Sequence, residues 1–150
     1  MARKIAIGSD HGGFKLKELL KKYLSGKGYV VEDFGAYTGR PPCDYPLVGY
    51  KVARSVSKGR LKRAILICKT GIGMAIIANK LPNVRSGVCS TVRQAKTSRL
   101  HNDTNVLSLA AKYITADKAK RIVSVWLKTK ALGARHKRRV KQIKKLERKG

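Results

Sequence analysis

The stretch RAILICKTGIGMAIIANK, residues 63–80, is typical of a strand that passes through a turn into a helix. Four apolar residues, Ala64 to Ile67, lead into Cys68 and Lys69, and two glycines precede a second apolar run. A strand that is apolar at every position is buried on both faces, as in a parallel sheet covered by helices. The glycine-containing turn therefore places a thiol where a buried strand ends.

The same pattern repeats on both sides of this unit, which predicts a series of βα units. We expect strands at residues 4–10, 29–35, 63–68, 84–90 and 105–111. We expect helices at about 16–24, 48–56, from the glycine turn to about 80, 91–101, 116–130 and 133–148, the last one strongly basic. The sequence thus predicts one domain, residues 1–150, with an α/β fold. It is a three-layer α/β/α doubly wound domain with a five-stranded parallel sheet and an extra C-terminal basic helix.

The composition limits the function classes. The chain has 35 lysines and arginines against 8 acidic residues, a formal net charge of +27, and only 6% aromatic residues. Such a charge attracts polyanions and phosphorylated metabolites, but a dedicated nucleic-acid binder more often interleaves aromatic residues. No apolar run reaches the ~20 residues of a transmembrane helix, and the N-terminus does not resemble a signal peptide. Three cysteines without C-x-x-C spacing argue against disulfides and structural zinc and favour a cytoplasmic protein.

Cys68 is the candidate catalytic residue. In a doubly wound domain, ligands bind outside the carboxyl ends of the strands, where this thiol is expected. Backbone amides of a glycine turn that opens a helix can hold a phosphate or stabilise an oxyanion. The same amides favour the thiolate form of a neighbouring cysteine, and Lys69 would add to this if its ammonium group folds back. Alternatively, Cys68 is a small core residue and the glycines only permit a tight turn.

Histidines and arginines provide further candidates. His11 follows the first strand and His101 ends the fourth helix, and both are expected on the ligand side of the sheet. Arg135 and Arg139 are four residues apart, so they share one helix face and suit a phosphate dianion. Because the last helix contains many other basic residues, a solvated basic face is the alternative.

Five blocks of the sequence together resemble the type B ribose-5-phosphate isomerase family, which includes the subunits of galactose-6-phosphate isomerase. In chain order the blocks are IAIGSDHGGFKLKE (5–18), DYP (44–46), ILICKTGIGMAIIANK (65–80), RLHNDTNVL (99–107) and GARHKRRV (133–140). They cover nearly the whole chain. The resemblance implies an aldose–ketose isomerase that works without a metal or an organic cofactor.

The resemblance also implies a mechanism. A cysteine base, matched by Cys68, removes the proton from C2 of the open-chain sugar phosphate, and the resulting cis-enediolate is reprotonated at C1. A histidine matched by His101 assists ring opening, and Asn102 matches a contact to a sugar hydroxyl. The glycine loop that stabilises the enediolate oxygen is matched by Thr70, Gly71 and Gly73. The remaining substrate and phosphate contacts are matched by Asp10, His11, Tyr45, Arg135 and Arg139.

Three positions depart from the family pattern. Lys69 replaces a glycine, Ala75 replaces a serine, and Lys112 replaces an arginine that helps bind phosphate. We expect Lys69 and Lys112 to contact the substrate and to alter substrate preference and rate more than the reaction class.

The resemblance implies a homodimer, or a tetramer built from dimers, with the site between subunits. Two alternative functions remain open. One is isomerisation of a six-carbon sugar phosphate, such as allose or galactose 6-phosphate. The other is a catalytically weak relative that binds polyanions such as nucleic acid, which the net charge and Lys69 would favour.

Overall fold

A computed structural model describes residues 3–150. Its centre is a five-stranded sheet in which all neighbouring strands are parallel, in the order β2-β1-β3-β5-β4. The strands are β1 (Arg3–Ser9), β2 (Tyr29–Asp33), β3 (Ala64–Cys68), β4 (Ser86–Val88) and β5 (Val106–Ala110). The predicted doubly wound parallel sheet is confirmed.

Helices cover both faces of the sheet. They are α1 (Phe14–Gly26), α2 (Tyr45–Ser57), α3 (Ile72–Ala78), α4 (Val92–Asn102), α5 (Ala116–Lys128) and α6 (Ala134–Glu147). A short 3₁₀ helix, His11–Gly13, joins β1 to α1, where the sequence predicted only the polar end of a strand. None of the helices within residues 3–150 has the length and apolar character needed to cross a bilayer.

The central strand β3 explains the unbroken apolar run in the sequence. All five of its residues are buried. Ile65 and Ile67 belong to one core cluster, which contains Trp126, and Leu66 belongs to a second cluster. The indole Nε1 of the fully buried Trp126 donates a hydrogen bond to the Thr104 hydroxyl at 2.9 Å, which satisfies the only polar atom of that side chain.

Strand β2 ends two residues earlier than predicted because Asp33 turns the chain. Its carboxylate accepts hydrogen bonds from the Lys17 ammonium at 2.8 and 2.7 Å, from Lys21 at 2.8 Å and from the Gly35 amide at 2.8 Å. Burial opposes ionisation of this carboxyl, but the hydrogen bonds outweigh burial and hold the pKa of Asp33 below its ordinary value of 3.8. Lys17 is fully buried.

Strand β4 is also shorter than predicted, because this edge strand pairs with β5 over only three residues.

The chain order reverses at β1, which has β2 on one side and β3 on the other. Crevices at such reversals, outside the carboxyl ends of the strands, are where open α/β sheets bind ligands. The Asp10 amide donates to the Ile67 carbonyl at 3.3 Å, so the segments that follow β1 and β3 meet there. We call this side of the sheet the carboxyl edge, and the opposite side the amino edge.

Candidate active site

The Cys68 thiol lies at the carboxyl edge, at the end of β3, and is 5% exposed. Its Sγ accepts a hydrogen bond from the Gly71 amide at 3.2 Å. Gly71 has a φ of +75°, and a Cβ at this position would lie 3.0 Å from the Leu109 carbonyl carbon. Only glycine fits both the left-handed conformation and the close approach to β5. The turn predicted from the sequence therefore aims a main-chain N–H group at the thiol.

The following residues leave backbone amides available next to this sulfur. The Ile72 amide donates to the Thr70 hydroxyl at 3.2 Å, whereas the Gly73 and Met74 amides have no acceptor among residues 3–150. Free amides are expected in the first turn of a helix. The resemblance assigned the enediolate oxygen to the amides of Thr70, Gly71 and Gly73. In this geometry the Gly71 amide binds the thiol, so the Gly73 and Met74 amides remain for an oxyanion.

Tyr45, the first residue of α2, covers the start of α3. A Cβ at Gly73 would lie 2.8 Å from two atoms of the Tyr45 ring, so the ring packs directly on this glycine. Tyr45 is 39% exposed. The loop tyrosine and the glycine turn are thus neighbours, as the resemblance implied for residues of one substrate site.

Asp10 and His11 lie in the segment after β1. The Asp10 carboxylate is 8% exposed and accepts a hydrogen bond from the Gly13 amide at 3.0 Å, which caps the 3₁₀ helix. The His11 Nδ1 lies 3.2 Å from the Cys43 amide, which donates to it. This contact fixes the imidazole against the loop that leads to Tyr45. It leaves the other ring nitrogen free for a ligand.

The two lysines that depart from the family pattern are neighbours at the carboxyl edge. The Lys112 amide donates to the Lys69 carbonyl at 3.0 Å. The Lys69 side chain runs back over Gly12, where an added Cβ would lie 2.8 Å from Lys69 Cγ and 3.4 Å from Asp10 Oδ1. Its exposed side chain therefore passes beside the Asp10 carboxylate without forming an ion pair, because no salt bridge joins them within residues 3–150. Ala75 is buried in α3.

The remaining predicted site residues lie at the amino edge. Helix α4 starts just after β4 and ends at Asn102, and the Asn105 carbonyl accepts from the amide of Ala64, the first residue of β3, at 3.0 Å. The expectation that His101 shares the ligand side with His11 is therefore wrong for a single chain. A helix that leaves the carboxyl ends of the strands must finish near their amino ends.

Helix α6 carries Arg135 and Arg139, the two arginines predicted to bind phosphate, and it lies at the amino edge beside α4. Its His136 ring stacks on the His101 ring with centroids 4.2 Å apart and planes 4° apart. Arg135 and Arg139 are exposed, and neither guanidinium forms an ion pair among residues 3–150. We call His101, Arg135, His136 and Arg139 the amino-edge cluster.

Sequence reasoning missed His136, since nothing in the spacing reveals that α6 folds back on α4. Burial, the His101 ring and the two arginines lower the pKa of His136 below its ordinary value of 6.5. A neutral His136 can stack on His101 without charge repulsion.

Two half-sites thus lie on opposite edges of one chain. The carboxyl edge offers a thiol, free amides and the Asp10–His11 pair, which suits removal of a proton next to a carbonyl and stabilisation of the resulting oxyanion. The amino-edge cluster offers two arginines, which suit a phosphate, and two imidazoles. Within residues 3–150 no three His, Cys, Asp or Glu side chains come together in the manner of a metal site.

Comparison with known proteins identifies the family of this chain. The Ribose/Galactose Isomerase family model matches residues 5–143. Ribose-5-phosphate isomerase B of Escherichia coli is 41% identical over 145 residues, which are 97% of this chain and 97% of that protein.

Solved structures match over the whole fold. Ribose-5-phosphate isomerase B of Clostridium thermocellum has a TM-score of 0.95 and 45% identity, with 97% of this chain and 98% of that chain covered. The Mycoplasma genitalium enzyme, solved with bound ribulose 5-phosphate, has a TM-score of 0.96 and 34% identity, with 100% and 99% covered. The resemblance seen in the sequence blocks is therefore confirmed, and this chain belongs to the ribose/galactose isomerase family.

Proposed function

We propose that this chain interconverts ribose 5-phosphate and ribulose 5-phosphate, with Cys68 as the base. The observation that carries the proposal is the position of the Cys68 sulfur, 3.2 Å from the Gly71 amide and directly before the free amides of Gly73 and Met74. A base and an oxyanion site within one turn are what an enediolate mechanism needs. The relatives that carry this activity in their names match the chain from end to end.

The reaction proceeds through an enediolate by three proton transfers. The Cys68 thiolate takes the proton from C2 of the open-chain aldose, and the electron pair of that C–H bond forms the C1–C2 double bond of the enediolate. The negative charge that develops on O1 is stabilised by the amides that open α3. The thiol then returns a proton to C1, while the O2 hydroxyl proton passes to O1, which yields the ketose.

The complete site combines the carboxyl edge of one subunit with the amino-edge cluster of a second copy. In one chain the two arginines and His101 lie on the far side of the sheet from Cys68, as described above. A symmetric homodimer, alone or paired into a tetramer, brings each cluster to the other subunit's thiol. His101 then assists ring opening, Asn102 contacts a sugar hydroxyl, and Arg135 and Arg139 bind the phosphate together with Lys112. We also propose that the enzyme is a single cytoplasmic domain serving the pentose phosphate pathway.

Subunit mixing tests the shared site. A Cys68→Ala chain and an Arg135→Gln/Arg139→Gln chain are each purified and then refolded together in equal amounts. Half of the resulting dimers should contain one chain of each variant. In each of these dimers one of the two shared sites carries no substitution. About a quarter of the wild-type kcat/KM should therefore return. Refolding Cys68→Ala with Cys68→Ser is the matched control and should recover nothing. If the first mixture also stays inactive, the site is not shared between subunits.

An assay on ribose 5-phosphate in the presence of a chelator tests the activity itself and its independence from metal. Lys69 and Lys112 motivate a parallel comparison with allose and galactose 6-phosphates. A larger kcat/KM for either six-carbon substrate would replace the pentose assignment.

A further inference from the structure

A basic recess at the amino ends of β1, β2 and β3 plays no part in the proposed isomerase site. Two adjoining cavities of about 530 and 250 Å³ share Arg3, Tyr29 and Leu127 in their walls. The fully buried Ile5 and Leu24 form part of the apolar floor. We call the two cavities together the basic groove.

The groove concentrates positive charge with little compensation. Its walls carry seven cations, and no acidic side chain of residues 3–150 lines it. Within the described part of the chain, only one of these cations, Arg60, forms a salt bridge, at 2.9 Å to Glu32. The seven are Arg3, Lys4, Lys27, Arg60, Lys62, Arg63 and Lys128.

Two of the guanidinium groups are already held in place. Arg3 lies 4.2 Å from the centroid of the Tyr29 ring and donates to the Lys27 carbonyl at 3.0 Å. Arg63 lies 5.2 Å from the centroid of the Trp126 ring and donates to the Trp126 carbonyl at 3.3 Å. A ligand that binds them therefore loses little side-chain entropy.

The positive charge of Arg63 also lies in an unfavourable electrostatic environment. Burial and the like charge of Arg99 lower its pKa, against smaller opposing contributions from Asp103 and Tyr29. Since arginine stays protonated in proteins, an anion in the groove would relieve this cost.

We propose that the basic groove binds single-stranded nucleic acid. Seven cations along two adjoining cavities match a run of several phosphates better than one phosphate group. The Arg3 guanidinium stacked on Tyr29 offers a planar surface of the kind on which unstacked bases lie. A flat membrane surface would touch only the rim of such a recess. The inference is independent of the proposed isomerase activity.

Helix α6 is the competing basic surface. A recess of about 370 Å³ beside it is lined by the basic Lys137 and Lys141 but also by the acidic Asp103. The exposed Ile143 and Leu146 of this helix are not aromatic. Helix α6 therefore mixes opposite charges, whereas no acidic side chain of residues 3–150 lines the basic groove, and it provides a charge-matched control.

The test uses a fluorescent single-stranded RNA probe of about 12 nucleotides, titrated by anisotropy with the full chain. The groove variant is Lys27→Gln/Lys62→Gln/Lys128→Gln. The control variant, Lys141→Gln/Lys145→Gln/Lys149→Gln, removes the same charge from exposed positions on and just after α6. At about 150 mM salt the groove variant should lose at least ~10-fold in affinity and the control less than ~3-fold. Because each lost phosphate contact reduces the salt slope by about 0.7, the groove variant's slope should be shallower by about 2.

Four outcomes would overturn the proposal. Equal losses in the two variants would mean that only the overall charge matters. A larger loss in the control would move the site to α6. Displacement of the probe by saturating ribose 5-phosphate would place it in the sugar-phosphate site. Absence of binding by the wild-type chain at about 150 mM salt would leave no site to locate.

Discussion

At the carboxyl edge Cys68 is 5% exposed and hydrogen-bonded within its own chain, whereas at the amino edge Arg135 and Arg139 are exposed and unpaired among residues 3–150. The geometry of the first region is fixed by a glycine turn and a capped 3₁₀ helix in the absence of any ligand. The second is held through the His101–His136 stack, the packing of α6 on α4, and a hydrogen bond of 3.0 Å from the Asn83 amide to the Glu147 carboxylate. In the proposed site, the reacting groups are therefore preorganised within one chain, whereas the proposed phosphate-binding groups require a second subunit to complete their surroundings.

If the carboxyl edge performs the chemistry, the largest effect comes from its thiol. Cys68→Ala should lower kcat by about 10³-fold or more, since general bases contribute 10²–10⁴-fold. KM should change little, because the phosphate contacts remain. Steady-state kinetics measures both, and thermal unfolding checks the fold.

Cys89→Ala is the matched control, because Cys89 is also a buried free cysteine near a strand end. It should keep wild-type kcat. Near-normal turnover in Cys68→Ala would remove the thiol from the mechanism.

Substitutions at the amino edge should affect substrate binding rather than turnover. Arg135→Gln should raise KM by about 10- to 100-fold with little change in kcat, because a hydrogen bond to a charged group contributes about 1.5–3 kcal/mol. Arg138→Gln, a change on the same exposed helix, is the control and should leave KM within about 2-fold. Similar KM values for the two variants would show that only the general positive field attracts the substrate.

Low pH should weaken the ion pairs and hydrogen bonds that Asp33 forms at the carboxyl edge. The folded pKa of Asp33 lies below the ordinary 3.8, so its stabilisation is complete above that value and is lost as the pH falls through the folded pKa. Urea unfolding should show the free energy of unfolding decreasing below about pH 4, by up to about 1.4 kcal/mol per pH unit for this one proton. Asp33→Asn should remove this part of the slope. Glu32→Gln, which breaks the exposed pair with Arg60, should retain it.

The smallest effect concerns Lys69. Lys69→Met keeps the aliphatic chain over Gly12 but removes the ammonium group, so it separates charge from volume. Because an exposed charge contributes about 0.5–1 kcal/mol, removing it should lower kcat/KM for ribose 5-phosphate by about 2- to 5-fold. Lys69→Gly should give the same decrease. An unchanged kcat/KM in both variants would mean that the ammonium group does not act on the substrate.

Much of the fold was predictable because buried parallel strands and amphipathic helices leave strong periodic signals. The run Ala64–Cys68 and the Leu-rich α1 are examples. The sequence could not reveal the early end of β2, because the Lys17–Asp33 contact joins residues on separate elements. It also could not reveal that His136 stacks on His101, because this contact depends on how α6 packs.

The site was predictable in part for the same reason. Residues within one turn, such as Cys68 and Gly71, carry their geometry in local spacing. His101 was assigned to the wrong edge because its position depends on the direction of α4. The roles of the individual residues in the reaction stay predictions until the variants above are measured.

The strand order has a consequence for how the chain folds. β5 pairs with both β3 and β4, and the first paired residues of β3 and β5, Ala64 and Val106, are far apart in sequence. Since β5 is the only neighbour of β4 among the strands of residues 3–150, the edge strand cannot join the sheet until β5 has docked. The segment between β3 and β5, which contains α3, β4 and α4, must be closed as a large loop before β4 can pair. Closing such a loop slows folding. The Cys89 amide, which directly follows β4 and donates to the Ser108 carbonyl of β5 at 3.2 Å, should accordingly be among the last amides protected against hydrogen exchange during refolding.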